Sequence, residues 1–159
     1  IGWYKIHDPI SFYAGFFSAA PTGFDADIVM KGKKTIRKYI DELKEKGRDT
    51  TQKESALLDA LLLANEYIAR GFEFLPVDLY KSDAKLFLPE NGKIRLPFGA
   101  LPGIGESAAI ALQNAREGGE FLSVEELKQR ASVTKAVIET LEANGVLRGL
   151  SDTNQLTLF

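Results

Sequence analysis

In the stretch Leu101-Pro102-Gly103-Ile104-Gly105-Glu106-Ser107 the main chain, rather than any side chain, would do the chemistry. It reads as a tight turn, apolar in the middle with glycine on either side, running straight into a helix built on Ala108, Ala109, Ala111, Leu112 and Ala115. Without a Cβ, Gly103 and Gly105 let the backbone take positive φ and lie close to whatever docks there. The first N–H groups of a helix have no acceptor within it and point outward with the positive end of the dipole. That geometry suits a phosphate. Glycines before a helix also mark an ordinary loop-to-helix junction, so the surrounding elements must decide between the two.

Composition narrows the field. With 159 residues and 45% apolar content, the chain can build a core as one compact domain or two small ones. It has no cysteine and a single histidine, His7, which removes disulfide scaffolds, the usual zinc sites and thiol chemistry. No apolar run reaches the length of a membrane span, and no charged-then-apolar leader is present. The chain opens on Ile1 rather than methionine, as a piece of a longer protein would. A net charge of −2 excludes a protein that coats nucleic acid by bulk attraction, so any such contact must be local.

The elements that must position the turn follow from caps and periodicity. Asp8-Pro9 opens a short aromatic helix through Phe12, Tyr13, Phe16 and Phe17, which Pro21 to Gly23 break. Trp3, Tyr4, Phe16 and Phe17 could stack on bases, but their helical spacing favours core packing, and His7 reads as a helix-start residue. Lys34 to Lys46 is amphipathic, with Ile36, Tyr39, Ile40 and Leu43 on one stripe and Gly47 as the stop. Thr51-Gln52-Lys53-Glu54 is a capping box for a third helix through Leu57, Leu58, Leu61, Ala64 and Ile68 to Gly71.

Between Phe72 and Phe98 the period changes. Phe74 to Leu79 reads as extended, and Leu86-Phe87-Leu88 and Lys93-Ile94-Arg95-Leu96 flank an Asn91-Gly92 hairpin turn. Beyond the glycine turn, Ser123-Val124-Glu125-Glu126 is a second capping box. Its helix runs to about Arg130, a turn follows at Ala131 to Thr134, and a last helix through Val137, Ile138 and Leu141 ends at Asn144-Gly145. Helix, turn, helix, twice over, is the order of a tandem helix-hairpin-helix unit, which grips a nucleic-acid backbone and reads no bases. The second hairpin lacks paired glycines and is expected to bind phosphate less well. From Lys93 to Leu150, seven Lys and Arg balance seven Asp and Glu. Main-chain amides, helped by Lys93, Arg95, Lys128, Arg130, Thr134 and Lys135, would therefore carry the contact. The basic run Lys31, Lys33, Lys34, Arg37 and Lys38 reads first as a solvated helix face and second as a further contact with template or duplex.

Four ordered stretches resemble the C-terminal end of the PolC type of bacterial replicative DNA polymerase III, a member of the C family. They are Trp3 to Ala14, Phe74 to Tyr80, Phe98 to Gly105 with Glu120 to Ser123, and Gln155-Leu156-Thr157-Leu158-Phe159. The resemblance implies a mainly α fold with a small β hairpin: residues 1–72 as the helical end of the fingers, 73–98 as a β connector, 99–150 as the tandem helix-hairpin-helix domain, and 151–159 as a flexible tail. It implies sequence-blind binding of duplex DNA through Pro102, Gly103, Ile104, Gly105, Glu106 and Ser107. The tail would bind the sliding clamp, with Leu158 and Phe159 filling an apolar pocket while Gln155 hydrogen-bonds at its edge.

The family's nucleotidyl transfer uses two Mg2+ ions on carboxylates expected upstream of Ile1. This stretch is thus expected to hold no catalytic residue, metal ligand or cofactor, and Asp25 of the Asp25-Ala26-Asp27 pair reads as a cap or turn residue. Expected partners are primer-template DNA, the clamp and the remainder of the polymerase chain, with no membrane, in the bacterial cytoplasm. The rival readings are a helix-hairpin-helix docking module of a DNA repair enzyme and a helical protein-interaction module without DNA contact.

Overall fold

The computed structural model describes residues 2–19 and 23–151, and these are mainly helical with one small sheet. Caps written in the sequence start most of the helices. A short helix, α1 (Gly2–His7), precedes the expected ones. His7 therefore ends a helix instead of starting one, its ring 4.6 Å from that of Trp3. Asp8 then accepts a hydrogen bond from the Ser11 amide at 3.3 Å, and Pro9 is the first residue of α2 (Pro9–Ala19). Asp25 caps α3 (Ala26–Met30) by accepting from the Ile28 amide at 3.2 Å.

Gly32 opens α4 (Lys33–Lys46), and Gly47, at φ 52°, closes it. Ile36, Ile40 and Leu43 are buried, whereas Tyr39, expected on the same stripe, stays on the surface. Thr51 caps α5 (Gln52–Ala69), accepting from the Glu54 amide at 3.1 Å. The other half of the capping box is replaced, since the Glu54 carboxylate reaches Lys46 at 2.9 Å and ties α5 to α4.

Three short strands form a sheet of order β1-β3-β2. β2 (Leu88–Glu90) and β3 (Lys93–Arg95) are antiparallel around Asn91 (φ 52°) and Gly92 (φ 78°). Positive φ at both central residues is the tight hairpin turn that Asn-Gly favours. β1 (Phe74–Leu75) pairs parallel to β3. The extended reading of residues 74–79 thus shrinks to two residues of strand, because the Asp78 carboxylate accepts from the amides of Tyr80 and Lys81 and turns the chain.

The rings of Tyr13, Phe17, Phe24, Tyr67, Phe74 and Phe87 meet where α2, α5 and the sheet converge. Each Phe buried in this way contributes about 1.5–3 kcal/mol before entropy. Phe16 faces outward, 53% exposed. Leu96, Pro97 and Phe98, all buried, carry the chain from β3 into a 3-10 turn at Phe98–Ala100. The Phe98 and Gly99 amides donate to the carbonyls of Asp83 and Ala84, which fixes where the following bend stands. Then come α6 (Glu106–Ala115), α7 (Val124–Ala131) and α8 (Lys135–Ala143). Each turns apolar residues to one continuous core that reaches from Tyr13 to Leu147.

Candidate nucleic-acid interface

Leu101 to Ile104 is a turn closed by the Ile104 amide donating to the Leu101 carbonyl at 3.2 Å. Pro102 and Gly103 occupy its centre, and Gly103 takes φ 93°, the residue pattern of a type II turn. Leu101 and Ile104 are buried while Pro102, Gly103, Gly105, Glu106 and Ser107 are exposed, so two apolar pins hold an outward-facing bend. Only one of the two glycines needs its conformational freedom. Gly105 sits at φ −74°, ψ 170°, ordinary extended backbone, and a Cβ there would meet nothing within 4 Å. A Cβ on Gly103 would stand 3.3 Å from Oγ1 of Thr140, because the bend rests against α8.

Gly105 is the N-cap of α6, and no side chain caps that helix. Among the described residues the amides of Gly103, Gly105, Glu106 and Ser107 have no protein acceptor. The Ile104 amide differs, being held within the turn. Glu106 brings a negative charge to this positive helix end, but its carboxylate is ion-paired with Lys85. Gly103, Ile104 and Glu106 also line a cleft of about 530 Å3, together with Asp25, Lys53, Glu54 and Leu57. An exposed, uncapped helix end with several outward N–H groups can hold one phosphate oxygen set without any side-chain contact.

The second hairpin is built differently. Ser132, in the left-handed region at φ 54°, turns the chain between α7 and α8. Thr134 caps α8 with its own side chain, its Oγ1 accepting from the Val137 amide at 3.4 Å. Lys135 is exposed, 3.9 Å from Glu139 on the same helix. The first hairpin, in contrast to the expected helix-turn-helix order, has only the 3-10 turn Phe98–Ala100 before its bend.

Of the remaining basic candidates Lys128 is exposed and has no ion pair among the described residues, while Lys93, Arg95 and Arg130 have protein partners. Lys93 pairs with Glu73 at 2.8 Å and holds that carboxyl below its usual range. Arg95 is buried: it forks onto both oxygens of Glu90 at 2.7 and 2.8 Å and donates to the Pro76 carbonyl at 3.0 Å. The guanidinium lowers the Glu90 carboxyl and is itself raised by it. Arg95 is therefore a brace beneath the sheet. Arg130 lies 4.3 Å from the centre of the Phe121 ring and donates to the carbonyls of Ala115, Gly119 and Glu120. It staples the loop between α6 and α7. Lys85 and Thr140 were not marked by the sequence, since nothing local announces a partner 21 or 37 residues away.

Gln155, Leu156, Thr157, Leu158 and Phe159 lie outside the described residues. At Ser151 the chain is docked on the start of α7, its carbonyl accepting from the Val124 amide at 2.8 Å. Among the described residues no group of His, Cys, Asp and Glu is arranged to hold a metal ion. Asp25 uses its carboxylate on its own helix, accepting from the Ile28 amide. No helix among the described residues is long and apolar enough to cross a membrane.

Residues 71–156 match the family model described as the helix-hairpin-helix motif. Over all 159 residues the chain is 47% identical to a DNA polymerase III PolC-type of Halalkalibacterium halodurans and 44% identical to that of Oceanobacillus iheyensis. The Bacillus subtilis protein of the same name is 41% identical over the same span. In each case the chain spans 11% of the relative's length.

Proposed function

We propose, from the premise that this chain belongs to the helix-hairpin-helix family and matches the C-terminal region of DNA polymerase III PolC-type, that it holds the duplex product of a replicative polymerase by its backbone. The observation that carries the reading is the start of α6. Its cap position has the torsions of a side-chain-capped helix but is occupied by glycine, and the amides that a side chain would satisfy face solvent. Phosphate oxygens on those N–H groups would be bound without regard to base sequence. Release of counterions is small for such a contact, so the bend adds affinity with little salt dependence of its own.

The catalytic activity belongs to the whole polymerase, DNA-directed nucleotidyl transfer with Mg2+, and this stretch contributes grip rather than chemistry. Lys135 stands beside the second hairpin and would add one point charge. The tail, Gln155 to Phe159, would bind the sliding clamp as a short apolar motif. Joined to the DNA contact, a weak tail gains effective concentration, which lengthens each run of synthesis. Fluorescence anisotropy of a short duplex with the full-length polymerase at two salt concentrations, repeated with the clamp and with the polymerase cut after residue 154, tests both halves. Loss of clamp binding with duplex binding intact is expected on truncation; unchanged clamp affinity would remove the tail from the account. An absence of duplex binding would leave the helical protein-interaction reading in its place.

A further inference from the structure

The segment from Lys31 to Lys38 carries Lys31, Lys33, Lys34, Arg37 and Lys38 and no acidic residue, in a chain whose net charge is −2. All five side chains are exposed. Among the described residues, Lys38 has a partner only at 4.0 Å, in Glu42, and Lys31, Lys33, Lys34 and Arg37 have no ion pair. Several other cations are paired across elements, as Lys46 is with Glu54, Lys85 with Glu106 and Lys93 with Glu73, and among the described residues the unpaired ones, such as Lys53, Lys128 and Arg148, do not gather five to a segment of eight residues.

The position of the cluster is uphill for the fold. Lys33 and Lys34 are the first two residues of α4, where the helix presents its positive end, and the first turn has no acidic residue. Cations there cost stability where carboxylates would add to it. A solvated helix face has no need of that arrangement, whereas an anion seated on it is attracted by every cation of the segment and by the helix end, which offsets their mutual repulsion. Location also matters. Asp25, which starts α3, shares the walls of the cleft with Gly103 and Glu106. Lys31 lies six residues further on, about 9 Å along α3 at a helix's rise per residue. That is well inside one turn of duplex, about 34 Å.

We propose that Lys31 to Lys38 is a second, charge-based contact for the same duplex, acting beside the charge-poor contact at the bend. The inference rests on the duplex-binding reading above and divides it into two separable parts, one made by counterion release and one by main-chain amides. The roles differ in their salt signature. Each phosphate neutralised by a Lys or Arg adds about 0.9 to the slope of log affinity against log salt, while amide contacts add little.

The test is the full-length polymerase carrying this chain, titrated with a 24-base-pair duplex from low to moderate salt. The Lys33→Gln, Lys34→Gln, Arg37→Gln triple variant is expected to lower the slope by about 2–3 and weaken low-salt binding at least tenfold, with an unchanged or higher melting temperature. A Lys33→Arg, Lys34→Arg version is expected to keep the parent slope. An unchanged slope and affinity in the triple variant overturns the proposal, as does a slope loss confined to single-stranded DNA. Gly105→Asp, run in parallel, separates the two readings: if it leaves affinity intact while the triple variant loses slope, the bend fails and the basic segment stands.

Discussion

Gly105 and Thr134 have nearly the same backbone: φ −74°, ψ 170° at one and φ −77°, ψ 163° at the other. Each is the residue before a helix in its hairpin. Thr134 turns its hydroxyl onto the Val137 amide, while Gly105 has nothing to turn. At this one position the two hairpins differ by a side chain, and the difference decides which helix start is open to an outside acceptor.

Thr134→Ala removes the cap of α8 and is expected to destabilise the protein by about 1 kcal/mol. Thr134→Gly should cost only a few tenths of that unit. Denaturant titration of both variants measures the ordering; no loss in either variant would mean that the hydroxyl at 3.4 Å contributes nothing.

Gly103→Ala meets two obstacles, a φ of 93° and the Thr140 hydroxyl 3.3 Å from the new methyl. The left-handed conformation alone costs about 1–2 kcal/mol for a residue with a Cβ. Stability should fall by at least that much, and Gly103→Ala with Thr140→Ala should recover only the steric part. Full stability in the single variant would mean that the bend has a second conformation.

The Glu90 carboxyl is held below its usual range by the Arg95 guanidinium first and by Lys81 more weakly. Its folded value is therefore lower than its unfolded one, near 4.3. The pair's contribution is present in full above that unfolded value and is lost as pH falls through the depressed folded value. Unfolding free energy should decline below about pH 4.3, and Glu90→Gln should flatten that part of the curve. Glu66 and Glu73, lowered chiefly by Lys5 and Lys93, slope the same way. A variant with an unaltered pH profile would show the Arg95 fork to be idle.

Most helix starts were legible because a cap is a local device: Asp8, Asp25, Thr51 and Ser123 each act on an amide three residues ahead, and Thr134, read as the end of a turn, does the same. The Asn91-Gly92 turn was legible for the same reason. What lay hidden depends on distance in the chain. The parallel pairing of Phe74 with Ile94 has no local signature. Arg95, read as a surface cation, is drawn inward by Glu90 and the Pro76 carbonyl. At the bend the sequence located the turn but could not apportion the glycines. Gly103 is required by its torsion, whereas Gly105 is required by nothing among the described residues.

That last contrast gives the most direct measurement. Gly105→Asp has room for its side chain and the backbone of a capping residue, so the carboxylate should cap α6 as Asp25 caps α3. The cap and the dipole together should leave the protein as stable or more stable. Duplex affinity should nevertheless fall at least about tenfold, the worth of one hydrogen bond to a charged group. A variant that melts no lower than the parent and binds duplex DNA equally well would contradict the account at its centre.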